Sequence, residues 1–369
     1  MTFDDKEKEF NLIAKTIDDD KVYINNDTII VDFASKKNGI VSSWLNGGYS
    51  EDLSAVFNHQ LSQNEIDEYD DGGILGFLER LSDDFYSKLN LKSNKLSGLV
   101  TSAKIHNYSI AVERYRDIEV MAITTAGVRV NAVSAGDVAS YYELNGEYDL
   151  DLNENPNPNK PGTINNIILI NCKLDENSLL LAEMIAVEAK AVALRDLMAS
   201  SNYSDEVATG TGTDGIAIFS NFESENFIEN VSKHAKVGEL IANVVIKSIK
   251  ESLAKVQWLT PSYQLNALVR LDRFKMNLDD FYMNYLKIDN EDKKKEFIQS
   301  LMKVSKNPEL VAYVSLLIHI IDQYRVGLLS KKVAVSVSKS ILDSQFNRKD
   351  WNSMKILLEY LIKVLISDN

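Results

Sequence analysis

"TINNIILINC", Thr163–Cys172, is an apolar, β-branched run that reads as a buried strand. Asp175 follows it and stands where the N-cap of a long helix, "ENSLLLAEMIAVEAKAVALRDLMAS" (Glu176–Ser200), is expected. That helix carries apolar residues on nearly every face, which predicts a position deep in the protein. Strand and helix in succession set the class for this part of the chain: α+β, a layered mixed or mainly antiparallel sheet with packed helices.

Working outward, "KVYI", "TIIVDF" and "NGIVSS" are short β-rich pieces separated by Asn and Asp turn signals. A Gly-Gly turn in "WLNGGYS" leads to an amphipathic piece through Phe57 and His59, and Gly73–Leu89 repeats apolar positions at helical spacing. "SGLVTSA" and "DIEVMAITTAG" read as strands. "NENPNPNKPG", Asn153–Gly162, holds three of the five prolines and is expected to be a surface loop within a domain. Beyond the long helix come a strand over Ile216–Ser220 and a helix over about Lys236–Lys255. From Trp258 onward strand signals nearly vanish and about five helical patterns run to the end, "NPEL" opening one of them. The expected organisation is an α+β domain over 1–257 and an all-α C-terminal region over 258–369.

The 369 residues are 45% hydrophobic and 25% charged, values that suit a globular chain with a real core. A net charge of −14 argues against tracking nucleic acid, which wants clustered Lys and Arg. The one basic run, Lys293–Lys295, sits beside Glu291, Asp292 and Glu296 and reads as a solvated helix face. A single cysteine, Cys172, allows no intrachain disulfide or thiolate cluster, and it lacks a histidine nearby in sequence. The charged opening "MTFDDKEKEFNLIAK" is not a signal peptide, and no apolar stretch reaches the ~20 residues of a membrane span. These features predict a soluble, cytoplasmic protein.

"ATGTGTDGIAIFSN", Ala208–Asn221, sets three hydroxyls and a carboxylate among glycines ahead of a strand. It is neither a P-loop nor a dinucleotide fingerprint, because no Gly-Lys-Ser/Thr follows and it enters a strand. A turn entering a sheet is the plainer reading; a site where small residues admit a ligand is the sharper one. On the long helix Glu188 and Lys190 sit among Ala, Val and Leu, where a charge is costly unless paired. They read equally as satisfied charges or as groups projecting into a site. His234, Lys236 and Glu239 lie at a helix start, where free N–H groups favour an anion or a carbonyl oxygen. No HExxH spacing exists, His59, His106 and His319 are scattered, and no metal site is implied. His319, within "YVSLLIHIIDQY", reads as a core residue.

Seven segments occur in the order and spacing of the adenosylcobinamide amidohydrolase family: "VSSWLNGGYS", "FNHQL", "TTAGVRVNAVSAGD", "PGTINNIILIN", "VEAKAVALRDL", "ATGTGTDGIAIFS" and "KHAKVGELI". The chain resembles that family from about residue 35 to residue 250. The resemblance implies hydrolysis of the amide that joins aminopropanol to the corrin ring of adenosylcobinamide. The product would be adenosylcobyric acid, which re-enters cobalamin assembly. No cofactor is implied; cobalt enters only within the corrinoid substrate. Three positions depart from the pattern: Asn166 where an apolar residue is usual, Ser134 where arginine is common, and Ala235 where a hydroxyl residue is common.

Amide hydrolysis needs an activated nucleophile, oxyanion donors and an acid for the leaving amine. With the resemblance in hand, Asp214 or Glu188 is the candidate base, and His234 or Lys236 the acid. Asn165 and the backbone at Gly210 and Gly212 are candidate oxyanion donors. Thr211 or Thr213 is an alternative nucleophile to water, activated by Asp214. Asn46, Gly47, Gly48, Asn58, His59, Thr125 and Asn131 are expected to line the corrinoid cleft, with Lys190 and Glu239 beside them. The expectation is one pocket shared by the threonine-rich bend, the start of the helix after His234, and Glu188. The competing readings are a corrinoid-binding protein that does not hydrolyse, and a self-cleaving enzyme with Thr209 or Thr211 as a new N-terminus. The C-terminal helices are candidates for a homo-oligomer contact, a partner dock or a lid.

Overall fold

The computed structural model describes residues 10–62, 64–65, 73–149, 162–257 and 259–366. The proline-rich connector Asn153–Pro161 and Trp258 therefore lie outside the described residues. The chain divides into two compact units, Met1–Leu259 and Thr260–Asn369.

Among the described residues, eleven strands make the two large sheets of the first unit. They are β1 (Asn11–Lys15), β2 (Lys21–Ile24), β3 (Thr28–Asp32), β4 (Lys37–Val41), β5 (Gly48–Ser50) and β6 (Ala55–Gln60), then β7 (Leu96–Thr101), β8 (Ser109–Tyr115), β9 (Ile118–Ala126), β10 (Ile164–Ile170) and β11 (Gly215–Asn221). Helix α1 (Gly73–Leu89) follows β6, α2 (Glu176–Asp196) follows β10 and α3 (Lys236–Gln257) follows β11. One sheet has the order β1-β2-β3-β6-β7, and the other β5-β4-β11-β10-β9-β8. Both are antiparallel except for β6–β7 and β10–β11, which run parallel. The segment through Phe57 and His59 is thus a strand, β6, paired between β3 and β7 in the first sheet.

Four layers result. Successive strand residues point to opposite faces, so a strand covered on both sides must be apolar throughout. In β10, Ile167 and Leu169 enter the core between the sheets with Val31, Val56, Met121 and Phe219, while Ile168 and Ile170 face α2 and α3. That double burial is why Thr163–Cys172 reads as a continuous apolar run. On the far side, Ile30, Phe57 and Leu96 pack against Leu78 and Phe85 of α1. Gly98 of β7 permits this closeness, since a Cβ there would overlap the Phe57 ring.

Asp175 caps α2 as its sequence position implies, its side chain accepting from the Ser178 N–H at 2.7 Å. The depth expected for α2 is not observed. Its buried side is made of Leu179 and Ile185 together with Ala182, Ala186, Ala189 and Ala193, the alanines letting α3 approach closely. The larger apolar residues Leu180 (55% exposed), Met184 (60%) and Val187 (45%) face outward. An all-round apolar composition here marks an outer helix with an uncovered greasy face.

The loop after β4 fastens one sheet to the other. Ser43 Oγ donates to the Gly98 carbonyl at 2.5 Å, Asn46 Nδ2 to the Leu96 carbonyl at 2.7 Å, and Ser97 Oγ to the Leu45 carbonyl at 2.7 Å. Asn46 has φ 48° and Gly48 φ 81°, the left-handed conformation that Asn and Gly tolerate best.

The second unit is helical throughout its described residues. Its long helices are α4 (Glu291–Val304), α5 (Pro308–Arg325), α6 (Lys331–Gln345) and α7 (Asn352–Leu365). They enclose a separate core of Leu310, Val314, Leu317, Ile321, Trp351, Met354 and Leu358. Asn307 caps α5 by accepting from the Leu310 N–H, as "NPEL" implies. His319 is exposed, not a core residue: on α5 it falls between the buried Ile318 and Ile320 but points off the packed stripe.

Candidate active site

Asp214 closes the threonine-rich bend one residue before β11 begins. Its Oδ2 accepts from Lys190 Nζ of α2 at 2.5 Å and from the Thr211 N–H at 3.0 Å. Its Oδ1 accepts from Thr211 Oγ1 at 2.5 Å and from the Ile164 N–H at 3.1 Å. A carboxylate has about four lone-pair positions, so Asp214 is saturated. Both charged side chains are largely enclosed, 15% exposed for Lys190 and 14% for Asp214. Gly210 is required where it stands, because a Cβ would run into Asp214 Oδ2 and sit 3.1 Å from Lys190 Nζ. The smallness of the bend therefore admits the carboxylate and ammonium of this chain.

Beyond the ion pair the bend reaches the surface at Gly212 and Thr213, while Thr211 is buried. Thr213 Oγ1 shares a 2.6 Å hydrogen bond with Thr163 Oγ1 and donates to the Gly162 carbonyl at 3.1 Å. Asn131 Nδ2 donates to the same carbonyl at 2.8 Å, and Tyr203 Oη donates to Asn131 Oδ1 at 3.2 Å. The Gly212 N–H is taken by the Asn131 carbonyl at 3.3 Å. A two-residue ladder between Ala132–Val133 and Gly210–Thr211 fixes the bend to the segment after β9. Asn131, Thr163, Thr211, Thr213 and Asp214 thus form one connected network at the edge where β10 and β11 begin and β9 ends.

Three expected residues form a second, buried network between the sheets. Asn58 Nδ2 donates to Thr125 Oγ1 at 2.8 Å, and Asn165 Nδ2 donates to Asn58 Oδ1 at 2.8 Å and to the Val100 carbonyl at 2.9 Å. Asn165 is 1% exposed and both its N–H groups are committed within the protein, so it is not placed to donate to an oxyanion. Its Oδ1 is a buried acceptor with no partner, a condition that costs about 1–3 kcal/mol. The departure at Asn166 has its own partner, Thr124 Oγ1 at 2.7 Å, which is joined in turn to Ser248 of α3.

Other expected residues do not reach this edge. Glu188 is exposed and paired with Lys233 at 2.6 Å, on a different side of α2 from Lys190. Lys236 bonds Glu239 at 2.6 Å and lies 4.9 Å from the centroid of the Tyr115 ring. Tyr115 pairs with Ile118 at the start of β9, whereas Ile164, bonded by Asp214, pairs with Ala126 at its end. Nine strand residues separate those ends by about 27 Å. His234, exposed two residues before α3, belongs to the distant side. The expected convergence of three segments on one pocket is therefore not found: Glu188, His234, Lys236 and Glu239 stand apart from Asp214. His59 is also turned away, since neighbours on a strand face opposite sides of the sheet. It bonds Thr28 Oγ1 at 2.8 Å and Glu65 Oε1 at 3.1 Å. Asn46 and Gly47 shape the loop that joins the sheets; a Cβ at Gly47 would strike the Ser43 carbonyl. Ser134 sits in a turn held by Asp137, its N–H donating at 2.8 Å.

Sequence reasoning missed Thr163 and Tyr203 as partners of the bend. Thr163 stands in the quoted "PGTIN" segment, whereas nothing local to Tyr203 signals its reach to Asn131. Burial pushes the Cys172 thiol up to about 11, with Asp18 and Asp117 adding to the effect, which removes it as a nucleophile. Among the described residues no three His, Cys, Asp or Glu side chains group as a metal site, and no helix is long and apolar enough to cross a membrane.

Comparison with known proteins now decides the kinship. The family described as adenosylcobinamide amidohydrolase (CbiZ) matches residues 13–261, about two thirds of the chain. The chain belongs to that family. The match takes in β2 to β11, all but the first residues of β1, and the helices α1, α2 and α3. An uncharacterised protein of Methanocaldococcus jannaschii, MJ1613, is 28% identical over 249 residues, spanning 66% of this chain and 92% of its own. Among solved structures, the PH0078 protein from Pyrococcus horikoshii is 12% identical and covers 67% of this chain and 82% of its own with a TM-score of 0.31. That likeness carries no argument about the site.

Proposed function

We propose that the chain hydrolyses the aminopropanol amide of adenosylcobinamide, with Thr211, Asp214 and Lys190 as the reacting groups. The observation that carries this reading is the saturated carboxylate. A water molecule would have to displace an existing donor to reach Asp214, whereas Thr211 Oγ1 already lies 2.5 Å from Oδ1. In this scheme Thr211 Oγ1 attacks the amide carbon and passes its proton to Asp214. Lys190 gives a proton to the amine as the C–N bond breaks, releasing aminopropanol and leaving an ester on Thr211. A water then attacks the ester, its proton returning to Lys190, while the proton on Asp214 goes back to Thr211 Oγ1. Cobyric acid leaves, and every group regains its starting state.

The roles differ from the expectation in one respect. Lys190, expected beside the cleft as a binding residue, becomes the acid because it is the ammonium in contact with Asp214. The test is incubation with adenosylcobinamide followed by mass spectrometry of product and protein. Adenosylcobyric acid should accumulate with the intact protein, and should not form with Thr211→Val. Turnover by Thr211→Val at the wild-type rate would return the attack to water. Binding of uncleaved corrinoid by the intact protein would support the non-hydrolytic reading instead.

A further inference from the structure

A cavity of about 450 Å³ opens between α2 and the strands β4, β5 and β11. Ile40, Tyr49, Leu180 and Ile216 form its apolar walls, and Ser42 and Glu183 are among its polar groups. Its size lies in the range of small-molecule sites, about 300–1,000 Å³. We infer that this cavity seats the corrin ring of the substrate against the uncovered apolar side of α2, so that the aminopropanol arm extends toward Lys190 and Asp214. The identity of the ligand rests on the hydrolase reading above; the place of the ring is new.

Three observations carry the inference. First, the chain ties the cavity wall to the reacting groups: Ile216 lies two residues after Asp214, and Ser42 Oγ accepts from the Ile216 N–H at 2.8 Å. On α2, Leu180 and Lys190 are ten residues apart, or about 15 Å, a span that a ring and one side arm can bridge. Second, Leu180, Met184 and Val187 recur at helical spacing and are 55%, 60% and 45% exposed, with Tyr49 at 41% across the opening. A broad flat apolar ring covers such a stripe, and the open cavity holds one face of a macrocycle larger than itself. Third, Glu176 and Glu183 line the cavity without an ion pair to either carboxylate among the described residues. Free carboxylates accept hydrogen bonds from the N–H groups of amide arms, which a purely hydrocarbon ligand lacks.

The experiment compares the full-length wild-type protein with the Leu180→Ser/Met184→Ser double variant, both checked for folding by circular dichroism. Hydrolysis of adenosylcobinamide is followed for kcat and KM. Its dissociation constant is measured by equilibrium dialysis in the Asp214→Asn background, with and without the double change. The inference expects KM and the dissociation constant to rise at least tenfold, with the loss appearing in KM rather than kcat. Unchanged KM and unchanged affinity overturn it, and the hydrolase reading then stands on its own turnover. If the wild type binds the corrinoid without cleaving it and the double variant binds at least tenfold more weakly, the cavity is upheld and the hydrolase reading fails. Absence of both binding and cleavage overturns both. A double variant that fails to fold is replaced by Tyr49→Ala, on the opposite wall, for which the same rise in KM is expected and an unchanged KM overturns the inference.

Discussion

Asp214 gathers an ammonium, a hydroxyl and two backbone N–H groups, so its substitution acts on chemistry and on loop shape together. Lys190→Met removes one member of a largely enclosed pair and leaves the carboxylate facing a methyl group. We expect a loss of about 2 kcal/mol in stability, read as a shift in the urea midpoint, together with loss of turnover. Gly210→Ala is the cleaner probe of geometry. Its Cβ overlaps Asp214 Oδ2, and a displacement of about 1 Å at a reacting group costs on the order of 100-fold in kcat. An alanine variant at wild-type kcat would show that the close approach does not matter. A residue outside the site gives a prediction in pH. Burial pushes the Glu65 carboxyl up, but hydrogen bonds from His59 and Ser62 outweigh it and hold the group at about 2, against an ordinary 4.5. Its folded value is depressed, so its stabilising contribution is present above about pH 4.5 and disappears as the pH falls through about 2. Urea midpoints of wild type and Glu65→Gln should differ near neutrality and converge across that window; a constant difference would contradict the assignment.

At the scale of elements, close packing fixes which face each segment shows. The Phe57 ring lies against the backbone of Gly98, so Gly98→Ala must move the ring or the strand, costing about 1–3 kcal/mol by thermal denaturation. No loss would mean that α1 and the first sheet are less tightly packed than described. The strands at Thr163–Cys172 and before Asn221, the cap at Asp175 and the helices over Gly73–Leu89 and from Lys236 were legible because period, cap and turn chemistry are local. The facing of α2 was not. Hydrophobicity alone reports burial, yet Leu180, Met184 and Val187 face out while alanines face α3. The site was legible in part for the same reason. Asp214, Thr211 and Thr213 announce themselves within one bend, and Lys190 as a charge in an apolar helix. The separation of Lys236 and His234 from that bend depends on which end of β9 each segment meets, and that is set by a sheet register joining residues 38 to 50 positions apart, Ile164 with Ala126 and Ile170 with Val120.

At the scale of the molecule, the first unit has three cores, one between the sheets and one outside each, and the helical unit has its own. The family match ends at residue 261, beside the division at Leu259–Thr260. A chain ending at Leu259 should therefore unfold cooperatively in a thermal scan by circular dichroism; an unfolded or aggregated product would show that the first unit needs the helical unit to fold. The central claim concerns the bend at the edge of the six-stranded sheet. It is tested most directly by the rate at which aminopropanol is released from adenosylcobinamide by wild type and by Asp214→Asn at equal concentration. The account predicts steady release by the wild type and a fall on the order of 1,000-fold in the variant, with its fold retained. Release by Asp214→Asn within a few-fold of wild type would contradict it.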